Sequence, residues 1–217
     1  MDFEFYHMIA IIDYGMGNIH SVQKALESLG GKVIVTNKPA GIKKSDKVVL
    51  PGVGSFDDAM RELIRQGLIT ALKEHIKNKK LFLGVCLGMQ LLFEESQEAK
   101  KEKGLEILKG KVVRFADKDG IKVPHIGWNQ LTKSKIQNPK SKNKCPLLKG
   151  IPNGSYVYFC HSYYAAPKDK KVVAATCDYG VDFTSVVWQD NVYGVQFHPE
   201  KSQAVGLKIL KNFIEMQ

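Results

Sequence analysis

Arginine is scarce in this chain. Of 32 basic residues only Arg61, Arg65 and Arg114 are arginine; the rest are lysine. The net charge of +10 invites a nucleic-acid reading, but bidentate recognition of phosphates and base edges favours arginine. The lysines gather at "KNKK" (77–80), "KKEK" (100–103) and "KSKNK" (140–144), which read as loops and helix ends rather than one stripe. No nucleic-acid or membrane partner is therefore expected. A basic face that meets an acidic protein stays open.

Cysteine is also sparse and unpatterned. Cys86, Cys145, Cys160 and Cys177 form no C-x-x-C pair and no zinc-like cluster with histidine, so no metal site is expected. No apolar run has the length of a transmembrane helix. The opening "MDFEFYHM" has neither the basic start nor the apolar stretch of a signal peptide. These absences point to a cytoplasmic protein with free thiols. No repeat and no linker interrupts the 217 residues. We expect residues 1–7 to be an N-terminal extension and 8–217 a single domain.

What is present is an alternation. "MIAIIDY" (8–14), "KVIVT" (32–36), "KVVL" (47–50) and "LFLGV" (81–85) are short apolar runs of strand length. Helical spacing lies between them at 19–30 and 56–77, and again from Leu87 to about Gln97. Such alternation predicts an α/β fold, with a mostly parallel sheet between layers of helices. The second half is β-rich, from "KVVRFA" (111–116) through "VPHIGWNQL" (123–131) and "SYVYFCHSYYAA" (155–166) to "VYGVQFHPE" (192–200), and reads as added antiparallel strands. A polar, proline-broken loop is expected at 133–144, and a closing amphipathic helix at 202–216.

One stretch joins this pattern to chemistry. In "LFLGVCLGMQLLF" (81–93), Gly84 and Gly88 flank Cys86 where a strand should turn into a helix. A nucleophile elbow has this form: the turn is so sharp that neighbouring positions have no room for side chains. It would put the thiol at a helix N-terminus, with the Leu87 N–H facing the space where an oxyanion develops. A buried structural cysteine at a tight strand–helix crossing reads equally well from this stretch alone. A nucleophile needs an oriented base. "QFHPE" (196–200) offers His198 with Glu200 two residues on, on the same side if the chain is extended. Alone, that pair reads more readily as a surface ion pair at a strand end. "VLPGVGSF" (49–56) offers a second backbone donor at Val53, between Gly52 and Gly54, or an ordinary glycine-rich turn; it is not a P-loop. His20 and His75 read as surface or capping residues, and His161 as structural support.

Together, "PGVG", "LGVCLGMQLL" and "GVQFHPEKS" resemble the class I, triad-type glutamine amidotransferases. "IIDYGMGNIHSV" (11–22), "PGVGSFDDAM" (51–60), "VPHIGWNQL" and "YFCHSYYA" (158–165) are similar to the branch supplying the glutaminase (HisH-type) subunits of imidazole glycerol phosphate synthases. The resemblance runs from Met8 to the C-terminus. It implies a flavodoxin-like, three-layer fold and no metal or other cofactor. Cys86 would be the nucleophile, His198 the base and acid, and Glu200 its orienter. Val53 and Leu87 would supply the oxyanion N–H groups. Gly52, Gln90, Ser162 and Tyr163 would hold the main-chain ends of glutamine, with Glu98 facing its ammonium. The implied partner is a HisF-type (β/α)8-barrel cyclase, forming a heterodimer. Asn18, His125, Trp128 and Lys201 would lie toward that partner.

The resemblance implies hydrolysis of glutamine through a cysteinyl thioester, with ammonia passed to the cyclase for histidine biosynthesis. Three other readings stay beside it. A paralogous glutaminase could feed a different synthase, such as one that amidates a sugar. A regulatory subunit could keep the fold without catalysis, against which the complete Cys86, His198 and Glu200 set argues. A peptidase-like cysteine hydrolase would share an elbow, but is not expected to combine HPE with "PGVG" and "HSYY".

Overall fold

The computed structural model describes residues 7–117, 120–134 and 144–217. The proposed extension at 1–7, except His7, and most of the lysine-rich 133–144 loop lie outside the described residues.

The strands are β1 (Met8–Ile12), β2 (Lys32–Thr36), β3 (Lys47–Gly52), β4 (Leu81–Cys86), β5 (Glu95–Ser96), β6 (Gly110–Arg114), β7 (His125–Gln130), β8 (Thr132–Lys133), β9 (Tyr156–His161), β10 (Tyr163–Pro167), β11 (Val173–Asp178), β12 (Asp182–Gln189) and β13 (Val192–Val195). The helices are α1 (Ile19–Ser28), α2 (Pro39–Lys44), α3 (Phe56–Arg65), α4 (Leu68–Lys77), α5 (Leu87–Gln90) and α6 (Gln203–Glu215).

The main sheet runs β2-β1-β3-β4-β13-β12-β10-β6-β5, with β11 and β8 branching from β12. Its first five strands are mutually parallel. Their order, 2-1-3-4 and then a fifth, is the flavodoxin-like winding, which places ligand sites at the carboxyl ends of the strands. Alternation along β1 supports three layers. Ile9 and Ile11 pack with Val22 and Leu26 of α1 and with Ile209, Leu210 and Phe213 of α6. Ala10 and Ile12 pack with Ile42, Phe56, Leu63, Leu68 and Leu72 of α2, α3 and α4. No helix among the described residues is long and apolar enough to cross a membrane.

Several expectations need correction. The helix expected over 56–77 is two helices, because Gly67 takes a left-handed conformation (φ 66°) and turns the chain between them. The helix expected from Leu87 to Gln97 ends at Gln90. Its next carbonyls are claimed from outside: Leu91 O accepts from Leu105 N–H at 2.7 Å, and Leu92 O from Ile107 and Leu108 N–H, each at 2.9 Å. Gly104 permits this approach, since a Cβ there would overlap the Phe93 carbonyl. The "VYGV" of β13 is not simply an added antiparallel strand; it pairs antiparallel with β12 and parallel with β4. β7 and β9 form a separate two-stranded sheet. His75 is neither exposed nor a cap: it is buried and its Nε2 lies 3.1 Å from Leu81 O.

Candidate active site

Three neighbouring strands deliver the chemistry. β3, β4 and β13 lie side by side, with Gly52 opposite Cys86 and Val195 opposite Val85. Cys86 ends β4 with φ 54° and ψ −110°, a conformation that a non-glycine residue holds only where its surroundings force it. The two glycines explain how. A Cβ at Gly84 would run into the Gly88 carbonyl, and one at Gly88 would overlap the Leu50 carbonyl of β3. The first turn of α5 is thus pressed against both strands. Leu87, first in that helix, has no intrahelical acceptor for its N–H.

The histidine arrives from β13. After Val195 the chain passes Gln196 and Phe197, and His198 then enters a 3-10 turn over Pro199–Lys201. Glu200 therefore sits in a turn, not two residues along an extended strand. Its Oε1 still lies 2.9 Å from His198 Nδ1, and the two side chains are 1% and 7% exposed. Burial by itself would lower the His198 ring. Its hydrogen bonds and charge interactions with Cys86 and Glu200 outweigh burial and push it up to about 10. Ser202 Oγ accepts from Tyr158 N–H at 2.9 Å and donates to His198 O at 2.6 Å, fastening the turn to β9.

A cavity of about 320 Å³ opens beside the thiol, lined in part by Val53, Gln90, Glu98, Ser162, Tyr163 and His198. Lys201, expected toward a partner, lines its rim. Glu98 Oε2 accepts from Phe56 N–H at 2.8 Å, at the start of α3. Burial raises its carboxyl above the usual range, and the acidic Asp57 and Asp58 add to this. Gln90 Nε2 donates to Tyr163 O at 2.8 Å and to Gln196 Oε1 at 3.0 Å. Gln196 is fully buried, and its Nε2 lies 3.8 Å from Cys86 Sγ. Sequence reasoning passed over Gln196; its place two residues before His198, at the end of an apolar strand, was the available signal. Behind the β3 loop, Tyr14 donates to Pro51 O at 2.9 Å. A Cβ at Gly52 would press on that hydroxyl.

The residues expected toward a partner divide. Trp128 is 45% exposed and lies edge-on to Tyr158. Lys201 holds its Nζ over the Tyr158 ring. Asn18 caps α1, accepting from Ser21 N–H at 3.2 Å. His125 is not on a surface: it is 3% exposed, stacked between Tyr179 and Phe159. Its side of β7 faces the aromatic cluster, while Ile126 on the opposite side is exposed. Cys145 and Cys177 are buried and their thiols pushed up to about 12, chiefly by burial, which suits inert thiols.

A thiol at an elbow, a carboxylate-held imidazole and a glutamate all meet at one cavity. The family model for class-I glutamine amidotransferases matches residues 10–216. The chain belongs to the class-I glutamine amidotransferase family. It is 51% identical over 214 residues to the imidazole glycerol phosphate synthase subunit HisH of Syntrophotalea carbinolica, covering 96% of this chain and 100% of that one. It is also 51% identical over 209 residues to the HisH subunit of Caldanaerobacter subterraneus subsp. tengcongensis, covering 96% and 98%. Among solved structures it resembles one described as a glutamine amidotransferase, at TM-score 0.72 and 18% identity over 95% of this chain and 97% of that one. The flavodoxin-like layers of this amidotransferase are therefore those of its structural relatives.

Proposed function

We propose that this chain is the glutaminase subunit of an imidazole glycerol phosphate synthase and that Cys86, His198 and Glu200 carry its chemistry. The observation that carries the reading is the convergence of Cys86 and the His198–Glu200 pair at the ends of adjoining parallel strands, beside a cavity that holds Glu98 and Gln90. The close HisH relatives support the pathway.

Cys86, as thiolate, attacks the side-chain amide carbon of glutamine. The backbone N–H groups of Val53 and Leu87 hold the oxyanion. His198 carries the proton and gives it to the leaving nitrogen, so ammonia departs and a thioester remains. His198 then takes a proton from water, whose attack on the thioester gives glutamate and restores the thiol. Glu200 keeps the imidazole oriented through both halves. Gly52, Gln90, Ser162 and Tyr163 bind the main-chain ends of the substrate, and Glu98 faces its ammonium. No cofactor takes part in these steps.

Ammonia released into water becomes ammonium, which is no nucleophile. The product must pass directly to an acceptor site. The HisH subunit relatives support a separate acceptor subunit, a HisF-type (β/α)8-barrel cyclase, with the exposed Trp128 and Lys201 on the docking side. The enzyme works in the cytoplasm as a heterodimer.

The test is Cys86→Ala in the assembled synthase. Glutamine-dependent formation of imidazole glycerol phosphate should vanish, while ammonia-dependent formation continues. Glutamine-dependent turnover by that variant would overturn the assignment.

A further inference from the structure

Two buried histidines beside the cavity take no part in the chemistry above. His125 of β7 and His161 of β9 face each other, with Nδ1 of His125 3.2 Å from Nε2 of His161. His161 Nδ1 lies 2.9 Å from Tyr163 O. At the other end, Asn129 Nδ2 lies 3.4 Å from His125 Nε2 and donates to Asp178 O at 2.8 Å.

The protons on this line have one consistent order. Tyr163 O can only accept, so His161 Nδ1 must donate. A neutral His161 then accepts at Nε2, so His125 donates from Nδ1 and accepts at Nε2. Starting from the far end gives the same answer. Asn129 Oδ1 accepts from Gln130 N–H at 2.8 Å, which fixes the amide and leaves Nδ2 as donor toward His125. Both rings are held neutral. Burial lowers His125 to about 4. Burial lowers His161 to about 3, helped by the neighbouring His125 and His198.

The line ends on a carbonyl that matters. Tyr163 O accepts from both His161 and Gln90. The preceding carbonyl, Ser162 O, accepts from Phe115 N–H at 3.0 Å. Because peptides are planar and trans, fixing these two carbonyls fixes the Tyr163 and Tyr164 N–H directions as well.

We propose that His125 and His161 are positioning residues for glutamine, forming with Asn129 a proton-ordered chain that locks the Tyr163 peptide and, through it, the Gln90 carboxamide. The proposal rests on the glutaminase reading above. It gives the aromatic "PHIGWN" and "FCHSYY" strands a role inside the substrate site, distinct from any role at a docking face.

The test separates this role from plain packing. His161→Phe keeps a ring among Phe115, Phe159 and Phe183 but donates nothing. His161→Asn keeps a donor near the Nδ1 position and gives up the ring. In the assembled synthase, His161→Phe should raise the glutamine KM about five- to tenfold, with kcat within about twofold and little change in Tm. His161→Asn should lower Tm more, yet keep KM nearer wild type. Long-range 1H–15N spectra of the wild-type chain should show both rings in the Nδ1–H form. A KM that simply follows Tm across both variants, or either ring in the Nε2–H form, overturns the proposal. Wild-type hydrolysis with an unchanged KM in His161→Phe defeats only this chain of residues. A wild-type complex that does not hydrolyse glutamine defeats the glutaminase reading and takes the proposal with it.

Discussion

His198 Nδ1 is 2.9 Å from Glu200 Oε1, although Pro199 turns the chain between them and the two are not on one extended strand. The turn, rather than strand alternation, brings the carboxylate under the ring. Glu200 Oε2 is buried and makes no hydrogen bond to the described residues, so among them this carboxylate's bonded interaction runs through the imidazole.

That geometry has a pH consequence. The folded-state value of His198, about 10, lies above its ordinary value of about 6.5. Its stabilising contribution is therefore present in full below about pH 6.5 and is lost as pH rises through about 10. NMR titration of the His198 ring should give an inflection well above neutral pH. Glu200→Gln, which removes the charge but keeps the shape, should move it down by about one unit or more. A ring that titrates near 6.5 in the wild type would refute the assigned electrostatics.

The elbow makes a packing prediction. At Gly88 even one methyl meets the Leu50 backbone, which cannot swing aside as a side chain would. Gly88→Ala should cost about 1–3 kcal/mol, read as a lower Tm, and should abolish glutamine hydrolysis by moving α5. Gly15→Ala serves as contrast: a Cβ there meets none of the described residues within 4 Å, leaving the strain of the positive φ. Equal Tm for the Gly88→Ala variant and the wild type would show that the turn has slack.

Lys47 predicts an alkaline stability gain. It is 1% exposed, and its Nζ donates to the carbonyls of Phe213 at 3.2 Å, Ile214 at 2.5 Å and Met216 at 2.5 Å. Burial lowers the amine to about 8, against partial support from Asp46. Below about pH 8 it is charged in both folded and unfolded chains, and the full cost of burying that charge is present. Between about 8 and 10.4 the unfolded chain holds the extra proton, so stability rises with pH. Urea unfolding of wild type and Lys47→Met at pH 7 and pH 9.5 should show their stability difference shifting toward the wild type by about 1–3 kcal/mol. A pH-independent difference would contradict this.

Much of this was legible in the chain itself. Short continuous apolar runs and period-3.6 spacing gave the parallel strands and flanking helices, because a central strand buries both faces and a helix buries one. The elbow was legible because its steric demand leaves glycines at 84 and 88. What was hidden depends on partners distant in sequence. The end of α5 at Gln90 is set by the 104–108 return. The burial of His125 follows from pairing with β9, where it meets His161 in register. Gln196 gains meaning only when β13 is seen beside β4.

The pairing of β4 with β13 has an engineering consequence. Cys86 and His198 leave the sheet from hydrogen-bonded neighbours, with Val85 facing Val195, so the ladder sets their spacing and the intervening loops do not. Circular permutants or complementing fragments cut between these strands should recover the Cys86–His198 distance whenever the two strands pair. Reassembly of the sheet and recovery of the proposed reactive pair would then be one event.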